Sequence, residues 1–264
     1  MAIKLSNRTI LIKPSPTLTL STKAKEMSAA GIDVVNFGVG EPDFDTPEYI
    51  KKAAHQAIDD NFTRYTANAG IPELKKAICA KFLRENKLNY QPNQVLVSPG
   101  AKASIVNILV AVCDFNDQVL MPMPYWVSYP YQAMLADAQP VYIPTLEEDS
   151  YKLTPAALSK AIGENPAAKV LILNSPSNPT GAVYTRSELE KLAEVCLKHN
   201  LLVVSDEIYE RLVYDGTEHV SIASLSPEMQ EHTVVINGVS KAYSKTGWGL
   251  GSAAGPAAIM RAAG

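Results

Sequence analysis

Lys241 stands just past the apolar run Thr233-Val234-Val235-Ile236-Asn237, in the segment Ser240-Lys241-Ala242-Tyr243-Ser244-Lys245-Thr246-Gly247-Trp248. A lysine at a strand end, ringed by small and hydroxyl residues, suits an amine that forms Schiff bases. Such an amine needs a partly desolvated site to lose its proton near neutral pH. A solvated surface lysine fits the segment equally well when it is taken alone. Three further segments supply what a cofactor site would need. Val203-Val204-Ser205-Asp206-Glu207-Ile208-Tyr209 puts Asp206 at the end of a buried strand. There it either caps a following helix or holds a protonated ring nitrogen, with Tyr209 one turn later on the same side. Asn174-Ser175-Pro176-Ser177-Asn178-Pro179-Thr180-Gly181 is a loop stiffened by two prolines, able to aim Asn178 inward. Ser98-Pro99-Gly100-Ala101-Lys102 joins a strand to a helix. It is either an ordinary turn or a cradle in which backbone N–H groups meet a phosphate at a helix N-terminus.

Spacing links these segments. Asn178 precedes Asp206 by 28 residues, and Asp206 precedes Lys241 by 35. Each interval is about one strand–helix–strand repeat of roughly 30 residues. In a doubly wound sheet the carboxyl ends of parallel strands share an edge, and ligands bind there. Tyr125 and Trp126, just after another strand, add an aromatic plate at that edge, and Trp126 is a candidate stacking surface.

The elements that must position these residues follow from periodicity. Strands are expected over 94–97, 118–121, 139–143, 169–174, 201–205, 233–237 and 252–255. Helices are expected over 101–113, 126–135, 154–162 and 186–200. The last is opened by a capping box, Thr185 with Glu188 three residues on. This alternation predicts an α/β fold with a mainly parallel, doubly wound sheet. Residues 1–45, with Pro14, Pro16 and Pro42, read as an N-terminal arm with one helix near 19–30. A helix over 47–60, capped by Thr46, opens the sheet domain, 46–264. The chain stops at Gly264 inside the start of a helix, as a truncated polypeptide would.

Composition narrows the classes. The 264 residues are 47% hydrophobic with a net charge of −3, enough for a large core and with no electrostatic footprint for nucleic acid or an anionic membrane. Cys79, Cys113 and Cys196 are odd in number and widely spaced, which predicts buried free thiols. His55, His199, His219 and His232 read as surface or helix-end residues, and no Cys or His pair has metal-ligand spacing, so no metal is expected. No G-x-G-x-x-G follows a strand, which argues against a dinucleotide-binding protein. No signal peptide or membrane span is visible, so a cytoplasmic protein is expected.

These motifs, with Gly40-Glu41-Pro42-Asp43-Phe44-Asp45-Thr46-Pro47, Arg64-Tyr65 and Pro124 to Pro130, occur in the order found in the fold-type-I pyridoxal-phosphate aminotransferases. The chain resembles that family over nearly its whole length, and the bacterial aspartate aminotransferase branch most. The resemblance implies the large domain of that fold, preceded by an arm that belongs partly to a small domain, with the C-terminal small domain absent. It implies pyridoxal 5'-phosphate as cofactor. Lys241 is implied as the Schiff-base lysine and proton shuttle, Asp206 as the partner of the pyridine nitrogen, and Tyr209 and Asn178 as partners of the phenolic oxygen. Trp126 is implied to stack on the ring, and Gly100, Ala101, Lys102 and Ser240 to hold the phosphate. Gly40, Trp126 and Asn178 are implied to meet the substrate, and Tyr65 the neighbouring subunit's phosphate across a homodimer. The implied reaction moves an amino group between an amino acid, aspartate or glutamate or similar, and a 2-oxo acid.

Two departures from the family pattern bear on activity. Gly249 stands where the family has an arginine that pairs with the phosphate, and Lys245 stands where an apolar residue is usual; its ammonium is a candidate replacement charge. The arginine that binds the substrate carboxylate belongs to the C-terminal part, so turnover by this chain alone is expected to be reduced or absent. A degenerate or non-catalytic cofactor-binding fragment and a carbon–sulfur lyase are the alternatives.

Overall fold

The computed structural model describes residues 3–13, 16–38 and 40–264. They fall into two units, one ending at Asp45 and one running from Thr46 to Gly264. The first unit carries helices α1 (Asn7–Leu11) and α2 (Pro16–Ala29), so the arm holds a second short helix besides the expected one. Pro14 of the arm lies outside the described residues.

The second unit is built on one seven-stranded sheet. Its strands are β1 (Val95–Ser98), β2 (Gln118–Met123), β3 (Gln139–Pro144), β4 (Ala168–Asn174), β5 (Leu202–Asp206), β6 (Thr233–Gly238) and β7 (Gly251–Ala254). The spatial order is β1-β7-β6-β5-β4-β2-β3. Pairing is parallel except around β7, which runs antiparallel to both β1 and β6. The helices of this unit are α3 (Glu48–Asp59), α4 (Pro72–Lys81), α5 (Ala101–Val112), α6 (Tyr129–Leu135), α7 (Pro155–Glu164), α8 (Arg186–Lys198), α9 (Pro227–Glu231) and α10 (Ala257–Ala263).

Side chains alternate across a strand, and the apolar runs exploit this on both faces. Val170, Ile172 and Val204 pack with Ile105, Ile108 and Leu109 of α5, Ala133 of α6 and Met260 of α10. Their neighbours Leu171, Leu173 and Val203 pack on the other face with Leu158 of α7 and Leu189 and Leu192 of α8. Each fully buried aliphatic side chain contributes about 1.5–3 kcal/mol, so the two layers together fix the sheet and the edge it presents. The chain leaves β2 outward to β3, then returns to run β4, β5 and β6 the opposite way. That reversal opens a crevice at the carboxyl ends, the place where doubly wound sheets bind ligands.

The capping box of α8 forms as expected: Thr185 Oγ1 accepts from the Glu188 amide while Glu188 accepts from the Thr185 amide. Thr154 caps α7 by accepting from the Ala157 amide. Thr46 differs from expectation. Pro47 occupies the cap position of α3 without a side-chain bond, and the Thr46 hydroxyl donates to the Ser244 carbonyl at 2.6 Å. The hydroxyl thus fastens the start of α3 to the loop that carries Lys241. Trp126 also differs, since α6 begins only at Tyr129 and Trp126 lies in the loop before it.

Candidate functional site

Strand register brings the site together. Asn174 at the end of β4 pairs with Asp206 at the end of β5, and Asp206 pairs with Ile236 of β6. Lys241 follows three residues after the end of β6, in a turn. The Asn174 side chain donates to the Asp206 carbonyl at 2.8 Å, and its oxygen accepts from the Asn178 amide at 2.7 Å. This clamp holds the loop with Asn178 against the end of β5. Both X-Pro bonds of that loop, Ser175-Pro176 and Asn178-Pro179, are cis. Asn178 Nδ2 then lies 3.5 Å from the Tyr209 hydroxyl, and Lys241 Nζ lies 5.5 Å from the centre of the Tyr209 ring. Tyr209 sits in a turn rather than on a helix; the Leu212 amide donates to its carbonyl. The turn that follows β5 does not continue into a helix, so the helix-capping alternative for Asp206 is not realised.

Asp206 is 3% exposed. Its carboxylate accepts from the Tyr129 hydroxyl at 2.7 Å and from the Ile208 amide at 3.3 Å, and no cation pairs with it among the described residues. Burial pushes its pKa from 3.8 up to about 6, against the pull of the two donors, and the Glu207 charge adds to the rise. The site therefore holds a carboxylate poised to gain from a buried cation. Two pKa units correspond to about 3 kcal/mol by which the site disfavours the ionised carboxylate without such a partner.

Tyr129 is the functional residue that sequence reasoning missed. It is buried, its ring meets Trp126 edge-on at 5.4 Å, and Lys102 Nζ lies 5.0 Å from the Trp126 ring. A line of contacts thus runs from Asp206 through Tyr129 and Trp126 to Lys102. The two rings meet because a tight turn joins them, in which the Tyr129 amide donates to the Trp126 carbonyl at 3.0 Å.

The Gly100 turn reaches the same edge by another route. Gly100 takes φ +89° as the residue before α5, a conformation that favours glycine. The first N–H groups of α5, on Ala101 and Lys102, have no acceptor within the helix and are available to an anion. Gly251 presses against this turn. A Cβ on Gly251 would lie 2.3 Å from the Ala101 nitrogen and 2.3 Å from the Gly100 carbonyl carbon. Gly251 in turn pairs with Gly238, the last residue of β6. Ser240 is half-buried in the Lys241 turn, where its carbonyl accepts from the Lys245 amide.

Tyr65 is fully exposed. Gly40 belongs to the first unit and is exposed. Lys245 places its ammonium 4.3 Å from the Trp248 ring centre, lines a cavity of about 360 Å³ with Tyr49, Glu85 and Arg211, and has its pKa lowered by burial. It makes no described contact with the Gly100 turn. Gly249 takes φ +62°, with open space where a side chain would project.

His219 corrects a further expectation. Its side chain is 7% exposed and bonds Glu207 at 3.0 Å, so it is neither a surface nor a helix-end residue. The donor atoms of Glu207, Glu210 and His219 lie within 4.8 Å of one another, which sequence spacing did not suggest. Lys81 already pairs with Glu210 there, and Asn86 donates to its other oxygen at 2.9 Å. Protein groups therefore already supply the positive charge and the hydrogen bonds that Glu210 needs. Cys113 and Cys196 are buried free thiols as expected, while Cys79 is half-buried and free.

Residues 32–264 match the model of the aminotransferase class I and II family. The chain belongs to that family. Members work with pyridoxal 5'-phosphate. It is 51% identical over 260 residues to an aspartate aminotransferase of Geobacillus stearothermophilus, covering 98% of this chain and 66% of the relative. It is 50% identical to an aspartate/prephenate aminotransferase of Cereibacter sphaeroides, covering 98% of this chain and 65% of the relative. The crystal structure of the Thermus thermophilus aspartate aminotransferase with maleate superposes with a TM-score of 0.94 at 42% identity, covering 99% of this chain and 67% of that one. The Rhizobium meliloti aspartate aminotransferase gives the same TM-score at 41% identity, covering 99% and 65%. The chain thus spans about two thirds of the length of the relatives it matches.

Proposed function

We propose that this chain carries the cofactor-binding part of an aminotransferase that moves an amino group between an amino acid and a 2-oxo acid. Aspartate is the favoured donor, because it is named in both relatives described above. One observation carries the reading: among the described residues Asp206 is a buried carboxylate with two neutral donors and no cation, at the sheet edge that also carries Tyr209 and Lys241. A protonated pyridine nitrogen is the partner such a carboxylate fits. When bound, the cofactor supplies an aldehyde for an amine and a protonated ring that draws electron density from the substrate α-carbon.

The chain's own residues divide the remaining work. Asp206, held by Tyr129, keeps the ring nitrogen protonated. Asn178 and Tyr209 would hold the phenolic oxygen, and Trp126 would stack on the ring. The N–H groups of Ala101 and Lys102, with the Ser240 hydroxyl, would take the phosphate; the Gly100 N–H, expected as a third donor, instead donates to the Ser98 carbonyl at 2.7 Å. Lys241 carries the reactive amine and then moves the proton at the α-carbon. Trp126 and Asn178 would meet the substrate. The exposure of Tyr65 fits a role across a homodimer, where it would reach the partner's phosphate. The expectation of a cytoplasmic protein is kept as part of this proposal; no helix among the described residues is long and apolar enough to cross a membrane.

A single-turnover experiment tests the reading. The cofactor-loaded chain is mixed with aspartate, and the products are resolved by mass spectrometry. Formation of the 2-oxo acid with an aminated cofactor is expected, slowed by Gly249. Release of ammonia, or of a thiol from cysteine conjugates, would favour elimination chemistry instead. A loaded chain that converts neither substrate would be a binding protein only.

A further inference from the structure

Three acids within five residues are buried at the end of β5: Asp206 at 3%, Glu207 at 1% and Glu210 at 7% exposure. A buried charge without a partner costs several kcal/mol, so each needs its own compensation. Glu210 has it from Lys81 and Asn86. Asp206 has two neutral donors, the Tyr129 hydroxyl and the Ile208 amide. Glu207 is the most completely satisfied of the three. One oxygen accepts from Ser205 Oγ at 2.8 Å and Ser221 Oγ at 2.7 Å, and the other meets His219 Nε2 at 3.0 Å.

Those donors come from two places in the chain. Ser205 lies on β5, while His219 and Ser221 lie on the loop that leads towards β6. The Glu207 amide also donates to the Ile236 carbonyl of β6 at 2.9 Å, and the Glu210 amide donates to the Glu207 carbonyl at 3.0 Å. Its bonds to Ser205, Ser221, His219 and the Ile236 carbonyl tie the turn that bears Tyr209 to β5, to β6 and to the loop before β6. We propose that Glu207, bound by Ser205, His219 and Ser221, is the positioning residue that holds Asp206 and Tyr209 in register at the edge of the sheet.

Its carboxylate bonds Ser205, Ser221 and His219 rather than Asp206 or Tyr209. It acts by fixing the backbone between Asp206 and Glu210. A carboxylate accepting three side-chain donors resists rotation in a way that a single bond does not. The functional value of this hold rests on the cofactor reading above, but the hold itself belongs to the cofactor-free chain and is measurable there.

The test is amide hydrogen exchange on the cofactor-free 264-residue protein, comparing the wild type with Ser221→Ala, Glu207→Gln and Glu207→Ala. The Ile208, Glu210 and Leu212 amides all bond within the turn. In Ser221→Ala and Glu207→Ala their exchange is expected to quicken about tenfold or more. The β-sheet amides of Val203 and Val204 are expected to change less than twofold. Glu207→Gln keeps an acceptor for both serines and is expected to recover most of the protection. Equal acceleration of turn and sheet amides would mean a general stabilising role, and unchanged turn amides would mean no hold; either overturns the proposal. If Glu207→Ala does not fold, Ser221→Ala and Glu207→Gln decide. On the loaded protein, Ser221→Ala is also expected to shift the pH midpoint of the cofactor's absorbance. A wild type that takes no cofactor would count against the proposed function while the exchange result still decides this one.

Discussion

At the residue scale the account turns on the charge of Asp206. Its pKa is raised from 3.8 to about 6, chiefly by burial. The folded, cofactor-free chain therefore keeps a proton that the unfolded chain has lost. That contribution to stability is fully present below pH 3.8 and is lost as pH rises through about 6. Two pKa units amount to about 3 kcal/mol. Asp206→Asn removes the titration, so it is expected to stabilise the cofactor-free chain at pH 8 by up to about 3 kcal/mol and by almost nothing at pH 3. Urea denaturation at the two pH values checks this; an equal effect at both would show that ionisation is not the cause. Gly249 gives a second prediction. Arginine at φ +62° costs about 1–2 kcal/mol, but nothing blocks its side chain, and a charged hydrogen bond to phosphate returns about 1.5–3 kcal/mol. Gly249→Arg is expected to tighten pyridoxal phosphate binding severalfold in a fluorescence titration, and weaker binding would count against the phosphate lying near that position.

At the scale of elements, the glycines that let β7 lie against α5 decide whether the phosphate turn forms. A methyl on Gly251 meets the backbone of Gly100 and Ala101, so it cannot be relieved by a side-chain rotation. Gly251→Ala is expected to destabilise the chain by about 3 kcal/mol, read as a fall in the denaturation midpoint. A loss under about 1 kcal/mol would mean that the turn and strand are not packed as described. Much of this scaffold was legible beforehand. β4 and β6 are apolar runs buried on both faces, and such runs read clearly in a parallel sheet. The capping box named the start of α8. What was not legible depended on distant partners. The small residues of β7 carry little pattern, and its antiparallel direction is set by β1 and β6 on either side. Asp206 is not followed by a helix, because Glu207 and Glu210 are drawn into bonds with His219 and Lys81. His219 sits in a loop without periodicity, and its burial is fixed by a glutamate twelve residues earlier.

At the scale of the whole molecule, the parallel sheet converts distant segments into one edge. Asn178, Asp206 and Lys241 were read as convergent from their spacing, and strand register brings the first two together around the Asn174 clamp. Tyr129 joined them only in three dimensions, through its bond to Asp206. The account's central claim is that this edge receives pyridoxal phosphate on Lys241 even in a chain about two thirds as long as its relatives. The most direct measurement is to incubate the purified chain with pyridoxal phosphate, reduce with borohydride and map the labelled peptide by mass spectrometry. Label confined to the peptide containing Lys241, and lost in Asp206→Ala at the same cofactor concentration, is the predicted result. Label spread over surface lysines, or absent from Lys241 at saturating cofactor, would contradict it.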